Sequence, residues 1–204
     1  MSEIYKNPVD IIFTTPFPDK KVLNSIPKST IILDLGCGYG RVLKYFYENG
    51  YENLFGVDSS RKLINRANKF FPKAKYYNSN ILTFKSRRKY GLIIICAVIE
   101  YLTNSRDRHR LITQLDLLLK EGGVIYLATF VRDKNYSKEY TKVKKNTKWG
   151  TLVTADGIKL YHASPEEIDN LFQKKFKKIS SVEKLFNTWS EKTTNGYICL
   201  FKKT

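Results

Sequence analysis

Short apolar runs alternate with longer segments of helical hydrophobic spacing along most of the chain. The short runs are bounded by turn-forming residues, and the longer segments place apolar side chains three and four residues apart. This alternation is typical of a parallel β-sheet that is covered by helices. It predicts strands at residues 30–35, 54–57, 74–77, 92–96, 124–130, 179–185 and 197–201. The run at 92–96 is very apolar, which indicates a central position in the sheet.

Helices are predicted between these strands. Ser59 or Ser60 is expected to cap a helix that ends before Pro72, because serine accepts hydrogen bonds from the first helical N–H groups. A further helix is predicted over residues 108–120, and the glycine pair at 122–123 is expected to end it.

The chain is predicted to form one domain over residues 1–204, because its length suits a single hydrophobic core. Residues 1–29 are expected to be an N-terminal cap segment, either a lid over a pocket or an arm packed on the sheet. Residues 131–163 are expected to be a substrate-side insertion, with a hairpin turn at residues 156–157. The sequence SPEE at 164–167 predicts the capped start of another helix.

The sequence DLGCGYGRVL, residues 34–43, places three glycines directly after a buried strand. Such a turn lets a ligand approach the backbone at a helix N-terminus, which would suit a pyrophosphate. However, Arg41 stands where the dinucleotide fingerprint has its third glycine, and Asp34 would repel a pyrophosphate over the turn. Asp58 follows the second strand, where a carboxylate can accept both hydroxyl groups of a ribose. S-adenosylmethionine, which has a ribose and a cationic amino-acid end, meets these requirements.

These residues resemble the first two motifs of the class I S-adenosylmethionine-dependent methyltransferases. The match extends from about Ile31 to Phe130. GVDSS at 56–60 is similar to the second motif, and NILTF at 80–84 to the third, with asparagine in place of the usual aspartate. YGLIIICAVIEYL at 90–102 and LLLKEGGVIYLATF resemble later segments of the family. The resemblance implies an α/β fold, a Rossmann-like three-layer sandwich with a mostly parallel seven-stranded sheet whose last strand is antiparallel.

The resemblance also implies where the cofactor binds and what each contact does. Asp34 and the glycine turn would orient the methionine end, Asp58 the ribose and Asn80 the adenine. The product would be S-adenosylhomocysteine, and no metal site is expected. The expected cofactor-binding residues are Asp34, Gly36, Cys37, Gly38, Tyr39, Gly40, Asp58, Ser59, Asn80, Ile81 and Cys96.

Tyr101 and His162 are the candidates for a catalytic role. Tyr101 follows the fourth strand and resembles the family position that faces the methyl group; Glu100 beside it is a weaker candidate. His162 lies in a region that often covers the substrate in this family, so it is a candidate general base, with an exposed loop histidine as the alternative. Cys96 lacks the preceding proline of enzymes that methylate cytosine C5, and is interpreted as a small buried hydrophobe rather than a nucleophile.

The formal net charge is +17, from 36 basic and 19 acidic residues. Scattered lysine favours anionic partners but is weak evidence of nucleic-acid binding. The favoured hypothesis is methyl transfer to a small-molecule acceptor, because the insertion at 131–163 is short and no large recognition module is visible. The alternative is a tRNA or rRNA methyltransferase that uses the basic run 142–148 to contact RNA. A cofactor-binding protein without transfer activity is a third possibility.

Cysteine usage and hydropathy give further expectations. The three cysteines are far apart and show no CxxC pairing, so neither a disulfide framework nor a structural zinc site is predicted. No apolar run is long enough to span a bilayer. The chain is therefore expected to be cytoplasmic, without a membrane partner, and a monomer or homodimer.

Overall fold

The computed structural model describes residues 14–134, 138, 140, 148–154, 157–188 and 193–204. Within this part of the chain, two hydrophobic core clusters cover the opposite faces of a seven-stranded sheet. The helices are α1 (Lys20–Asn24), α2 (Arg41–Glu48), α3 (Arg61–Phe70), α4 (Ser105–Leu118) and α5 (Pro165–Phe172), with a 3-10 helix at Ile99–Tyr101. The strands are β1 (Ile32–Leu35), β2 (Leu54–Asp58), β3 (Lys75–Asn78), β4 (Tyr90–Cys96), β5 (Leu119–Phe130), β6 (Thr151–Val153), β7 (Lys159–Tyr161), β8 (Phe176–Asn187) and β9 (Thr193–Lys203).

The large sheet has the strand order β3-β2-β1-β4-β5-β9-β8. Strands β1 to β5 pair in parallel, and β9 runs antiparallel between β5 and β8. This order confirms the predicted α/β fold with a mostly parallel sheet and an antiparallel last strand. Since β1 and β4 adjoin at the centre, their carboxyl ends lie side by side, where open α/β sheets bind ligands.

Successive side chains of β1 pack alternately in the two core clusters. Leu33 and Leu35 pack in one cluster, and Ile32 packs in the other. All three are 0% exposed, which confirms a strand buried on both faces. Asp34 points to the same face as Ile32, because successive side chains in a strand alternate. The only polar side chain of β1 is therefore buried on the face that α2 covers.

The start of β5 differs from the sequence prediction. The helix predicted over 108–120 begins at Ser105 behind an Asn104 cap and ends at Leu118. β5 begins at once, because Leu119 pairs with Tyr90 before a register shift. The glycine pair at 122–123 therefore lies inside the strand, and the prediction that it ends the helix was wrong.

The C-terminal elements follow the predicted pattern. β6 and β7 form an antiparallel hairpin, although residue 156 of its predicted turn lies outside the described residues. Ser164 and Glu167 form the predicted capping box at the start of α5. β8 is a sheet edge, so the apolar side chains of Ile179 and Leu185 are exposed. No helix of the described part of the chain is long and apolar enough to cross a membrane.

Candidate functional site

The glycine turn between β1 and α2 is shaped by close backbone contacts. The N–H groups of Gly36 and Cys37 both donate to the carbonyl of Val57, at 2.7 and 3.0 Å, which folds the turn over the end of β2. Gly36 has a φ of +82°, and a Cβ there would lie 2.3 Å from Val98 Cγ2. Only glycine fits this position, both for its backbone conformation and for space.

Asp58 joins the glycine turn to the carboxyl end of β2. Its Oδ2 accepts from the N–H of Gly38 at 3.0 Å, and its Oδ1 accepts from the N–H of Ser60 at 2.8 Å. Burial raises the pKa of Asp58, and these two N–H groups oppose that effect. Each carboxylate oxygen keeps further acceptor capacity, so the side chain can still receive the two hydroxyl groups of a ribose.

The carboxyl group of Asp34 lies in the core beside the same turn. It is 1% exposed, and its Oδ2 finds no hydrogen-bond partner among the residues that the structure describes. Burial raises the pKa of this carboxyl to about 7, Arg41 lowers it and Asp58 raises it further. A buried acceptor without a partner is costly. The ammonium group of the methionine end of S-adenosylmethionine would supply the missing donor, so the residues present fit this cofactor.

Arg41 lies beside Asp34 and ties the turn to the N-terminal segment. Its Nη2 donates to the carbonyl and Oγ1 of Thr15, at 2.6 and 3.0 Å, and its guanidinium lies 4.3 Å from the Phe17 ring centroid. From the sequence, Arg41 is notable only because it stands in place of the third glycine of the dinucleotide fingerprint. Instead the side chain is directed to residues 15 and 17, and its electrostatic effect on Asp34 marks it as part of the site.

The N-terminal segment packs along α2 and β5. Phe17 stacks on Tyr45 at 4.3 Å, Tyr45 Oη donates to the carbonyl of Pro18 at 2.9 Å, and Tyr126 Oη donates to that of Pro16 at 3.3 Å. Residues 14–18 therefore form an arm beside the methionine end of the site. Residues 1–13 of the predicted cap segment lie outside the described residues.

The predicted adenine contacts follow β3. Asn80 Oδ1 accepts from the N–H of Leu82 at 2.9 Å, so its carbonyl already has one backbone partner. Ile81 is half-buried against the core. Ser59 is exposed, and Ser60 is the residue that caps α3. The adenine contacts of Asn80 and Ile81 stay predictions.

The remaining predicted cofactor residues include two in the turn, Cys37 and Tyr39, and Cys96 at the end of β4. Cys37 is buried, and burial raises the pKa of its thiol well above the usual value. Tyr39 is buried under Arg66, whose guanidinium lies 3.9 Å from the Tyr39 ring centroid. Cys96 ends β4 within electrostatic range of Asp34, and burial raises the pKa of its thiol as well. A thiol held protonated is a poor nucleophile, which agrees with the interpretation of Cys96 as a small hydrophobe.

The predicted acceptor end lies at the carboxyl ends of β4 and β5. Glu100 is 2% exposed; its Oε1 accepts from the N–H of Phe130 at 2.7 Å, and its Oε2 has no partner among the described residues. Burial raises the pKa of Glu100 to about 7. Tyr101, the stronger candidate by sequence, is only half-buried in the 3-10 helix. The structure therefore turns Glu100 inward, and its place between two apolar neighbours in AVIEYL is the sequence signal for that burial.

His162 is buried at the same end of the sheet, which excludes the exposed-loop interpretation. Its Nδ1 lies 3.0 Å from Tyr140 Oη, and its ring stacks on Phe130 with a centroid separation of 6.2 Å. Burial lowers the pKa of His162 to about 4, against an opposing effect of Asp133. The imidazole is therefore neutral at physiological pH, and the same burial makes it a weaker base than a free imidazole. Tyr140 and Asp133 escaped the sequence analysis, since neither stands in a recognisable motif.

Metal-ligating side chains are not gathered here. No group of three or more His, Cys, Asp or Glu side chains suited to a metal ion occurs within the described ranges. All three cysteines, Cys37, Cys96 and Cys199, are free thiols.

A family model and curated relatives match this chain in sequence. A family model described as a methyltransferase domain matches residues 16–175. The tRNA (carboxymethyluridine(34)-5-O)-methyltransferase alkbh8 of Xenopus tropicalis is 26% identical over 71% of this chain and 22% of its own length. An uncharacterised methyltransferase of Alkaliphilus oremlandii is 24% identical over 61% of this chain and 58% of its own length. The chain thus spans less than two thirds of these curated relatives.

Solved structures share the fold. An S-adenosylmethionine-dependent methyltransferase of Methanosarcina mazei superposes with a TM-score of 0.86, at 20% identity, over 92% of this chain and 99% of that one. The N-methyltransferase NodS of Bradyrhizobium japonicum, solved with S-adenosylhomocysteine, superposes with a TM-score of 0.64 at 17% identity, over 86% of this chain and 79% of that one. The family model, the strand order and the buried carboxyl group of Asp34 beside the glycine turn all indicate the same family. This chain belongs to the class I S-adenosylmethionine-dependent methyltransferases.

Proposed function

We propose that this enzyme methylates a nucleotide of RNA. The observation that carries the proposal is the concentration of positive charge: the chain has a net charge of +17, and the stretch between Asp58 and Glu100 holds ten basic residues and no acidic one. A surplus of this size attracts a polyanion and steers it to the protein surface. Two curated relatives, at 26% and 25% identity, are named for methylation of a carboxymethyluridine in tRNA, which supports an RNA acceptor.

The lack of a visible recognition module does not count against RNA. In the Xenopus relative, which is named for tRNA methylation, the matching segment is 22% of a longer protein, so a domain of this size occurs within an enzyme of that name. The basic run suggested by the sequence, 142–148, lies outside the described residues except for Lys148. Lys148 pairs with Glu167 at 2.5 Å, so its charge is partly neutralised within the protein.

Enzymes that modify a base extrude it into a pocket where side chains read it. S-adenosylmethionine, when bound, supplies the electrophilic methyl group, and the protein contributes position and exclusion of water. Glu100 and His162 are buried where β4 and β5 end, and we assign them, with Tyr101, to the orientation of the nucleophile.

His162 is proposed as the proton acceptor where the nucleophile must lose a proton. His162→Gln removes the basic nitrogen and keeps a polar side chain of similar reach. We expect methyl transfer to fall about 10- to 100-fold, as for loss of a general base, with S-adenosylhomocysteine affinity unchanged. Transfer at the parent rate would exclude this role.

A small-molecule acceptor is the second candidate. The observation in its favour is the enclosure of the acceptor end, where Glu100 and His162 are 2% and 5% exposed. The two functions are separated by incubating the protein with methyl-labelled S-adenosylmethionine and either total RNA or the small-molecule ultrafiltrate of its source cells. Label that ribonuclease releases supports RNA, whereas label confined to the ultrafiltrate identifies a metabolite acceptor.

We also propose a cytoplasmic location. The free thiols of Cys37, Cys96 and Cys199 suit a reducing compartment.

A further inference from the structure

The acidic residues of this chain are unevenly distributed. No Asp or Glu stands between Asp58 and Glu100, whereas this stretch contains ten basic residues. They are Arg61, Lys62, Arg66, Lys69, Lys73, Lys75, Lys85, Arg87, Arg88 and Lys89. Positive charge marks a nucleic-acid surface only where it is clustered, so the fold must bring these residues together.

The topology gathers them around one edge of the sheet. β3 is the edge strand, and α3 packs against β2 and β3 on one face. The connection to β4 covers the other face, where Phe84 packs beside Tyr77 and Arg88 lies over the ring of Phe55. We name this surface, formed by residues 61–89, the β3-edge face.

The β3-edge face leads directly away from the cofactor site. α3 begins three residues after Asp58, and Ser60 caps it while donating its own N–H to that carboxylate. The helix has ten residues, so the face extends about 15 Å along it. A strand of RNA bound here would therefore pass beside the carboxyl end of the sheet.

Most cations of the β3-edge face form no ion pair with the part of the protein that the structure describes. Elsewhere some cations pair with acids, as Lys175 and Lys203 do with Asp116, and Lys178 with Asp169. Eight cations of the β3-edge face are exposed and enter no ion pair among the residues that the structure describes. These eight are Arg61, Lys69, Lys73, Lys75, Lys85, Arg87, Arg88 and Lys89.

An aromatic ring lies among these charges. Phe70, at the end of α3, is 44% exposed, and its ring meets the edge of Tyr39 at 5.2 Å. A basic surface with an exposed ring suits single-stranded nucleic acid, because phosphates meet the cations and a base stacks on the ring. Phe70 is the only large exposed hydrophobic side chain of residues 59–99, all of which are described. A membrane-inserting surface presents several such side chains.

We infer that the β3-edge face is the docking surface for single-stranded RNA. It holds the strand by its phosphates and by stacking on Phe70, and so delivers a neighbouring nucleotide to the methyl group. The inference rests on the proposed function, since it names the surface by which an RNA acceptor is held.

Anisotropy of a fluorescein-labelled single-stranded RNA tests the surface. The face variant carries Lys73→Gln, Lys75→Gln, Lys85→Gln and Arg87→Gln. The matched control carries Lys20→Gln, Lys120→Gln, Lys177→Gln and Lys184→Gln, which removes the same charge from other exposed positions. We expect the face variant to lose at least about 10-fold in affinity and its salt slope to fall by about 3, as for four lost phosphate contacts. The control should stay within about twofold of the parent.

Equal losses in the two variants, or parent affinity in the face variant, would overturn the inference. Thermal unfolding and S-adenosylhomocysteine binding of each variant establish that the fold and cofactor site are intact. Phe70→Ala should weaken binding of single-stranded RNA more than that of a duplex, with Leu117→Ala as the exposed control. An equal effect of Phe70→Ala on both RNAs would remove the stacking role.

Labelled methyl transfer separates this inference from the proposed function. RNA that binds through the β3-edge face but never receives label, while the ultrafiltrate does, would refute the proposed function alone. RNA methylated equally well by the parent and the face variant would refute the docking surface and leave the proposed function standing.

Discussion

The cofactor end of the site is assembled from residues that are close in the chain, whereas the acceptor end collects residues from distant segments. Asp34, Arg41 and Asp58 stand within two strand ends and one turn. Glu100, Phe130 and His162 come from three separate segments at the ends of β4, β5 and β7. Both ends nevertheless hold a buried carboxyl, on Asp34 and on Glu100, with one oxygen that has no partner among the described residues.

The difference has a chemical consequence. The cofactor end must recognise one fixed molecule, so a short stretch of sequence with defined backbone geometry is sufficient. The acceptor end depends on side chains that the tertiary structure brings together, such as Tyr140 against His162. Variants at the two ends should therefore separate cofactor affinity from methyl transfer.

The largest effect is expected at Asp58. Asp58→Ala removes the predicted ribose acceptor and the hydrogen bonds that hold Gly38 and Ser60. Two charge-assisted hydrogen bonds together contribute about 3–6 kcal/mol, so S-adenosylhomocysteine affinity should fall at least roughly 100-fold. Isothermal titration calorimetry measures this, and parent-like affinity would show that the ribose lies elsewhere.

Asp34 should couple cofactor binding to proton release. Its pKa of about 7 in the free protein means that it is largely protonated at pH 6, and the ammonium group of the ligand favours the ionised form. Titration of S-adenosylhomocysteine at pH 6, in buffers of different ionisation enthalpy, should show a proton leaving. Asp34→Asn should lose this signal and about 10-fold or more in affinity. Equal proton release by Asp34→Asn would assign the signal to another group.

Glu100 should affect how the free energy of unfolding depends on pH, rather than the affinity for the cofactor. Its pKa is raised from 4.5 to about 7 in the fold, so the folded state retains a proton that the unfolded state has lost in this window. Its contribution to stability is therefore complete below about pH 4.5 and is lost as the pH rises to about 7. Relative to Glu100→Gln, the parent should lose roughly 3 kcal/mol across the window. The free energy of unfolding of the parent and of Glu100→Gln is measured with denaturant at each pH. If the two profiles run parallel, this assignment is contradicted.

The smallest effect is expected at Cys96. Burial holds its thiol protonated, and direct transfer needs no covalent intermediate on the enzyme. Cys96→Ala should keep methyl transfer within about threefold of the parent, because it removes only a small apolar contact. Loss of transfer with intact cofactor binding would instead identify Cys96 as a nucleophile.

Hydrophobic patterning predicted most of the architecture. The two-faced burial of β1, the central place of β4, the hairpin of β6 and β7 and the capping box at Ser164 all follow from local side-chain spacing. The start of β5 escaped prediction, because it depends on the pairing of Leu119 with Tyr90, which a local pattern does not contain.

The sequence by itself determined the sheet, the glycine turn and the acidic positions Asp34 and Asp58, because these depend on backbone geometry and residue type within short segments. Only the tertiary structure decided that Glu100 and His162 are buried and that Arg41 is directed to the N-terminal arm. Long-range packing fixes the dielectric surroundings of a side chain, and those surroundings set its pKa. The same holds for the β3-edge face: the sequence lacks acids there, and the fold decides that the cations lie around one edge of the sheet.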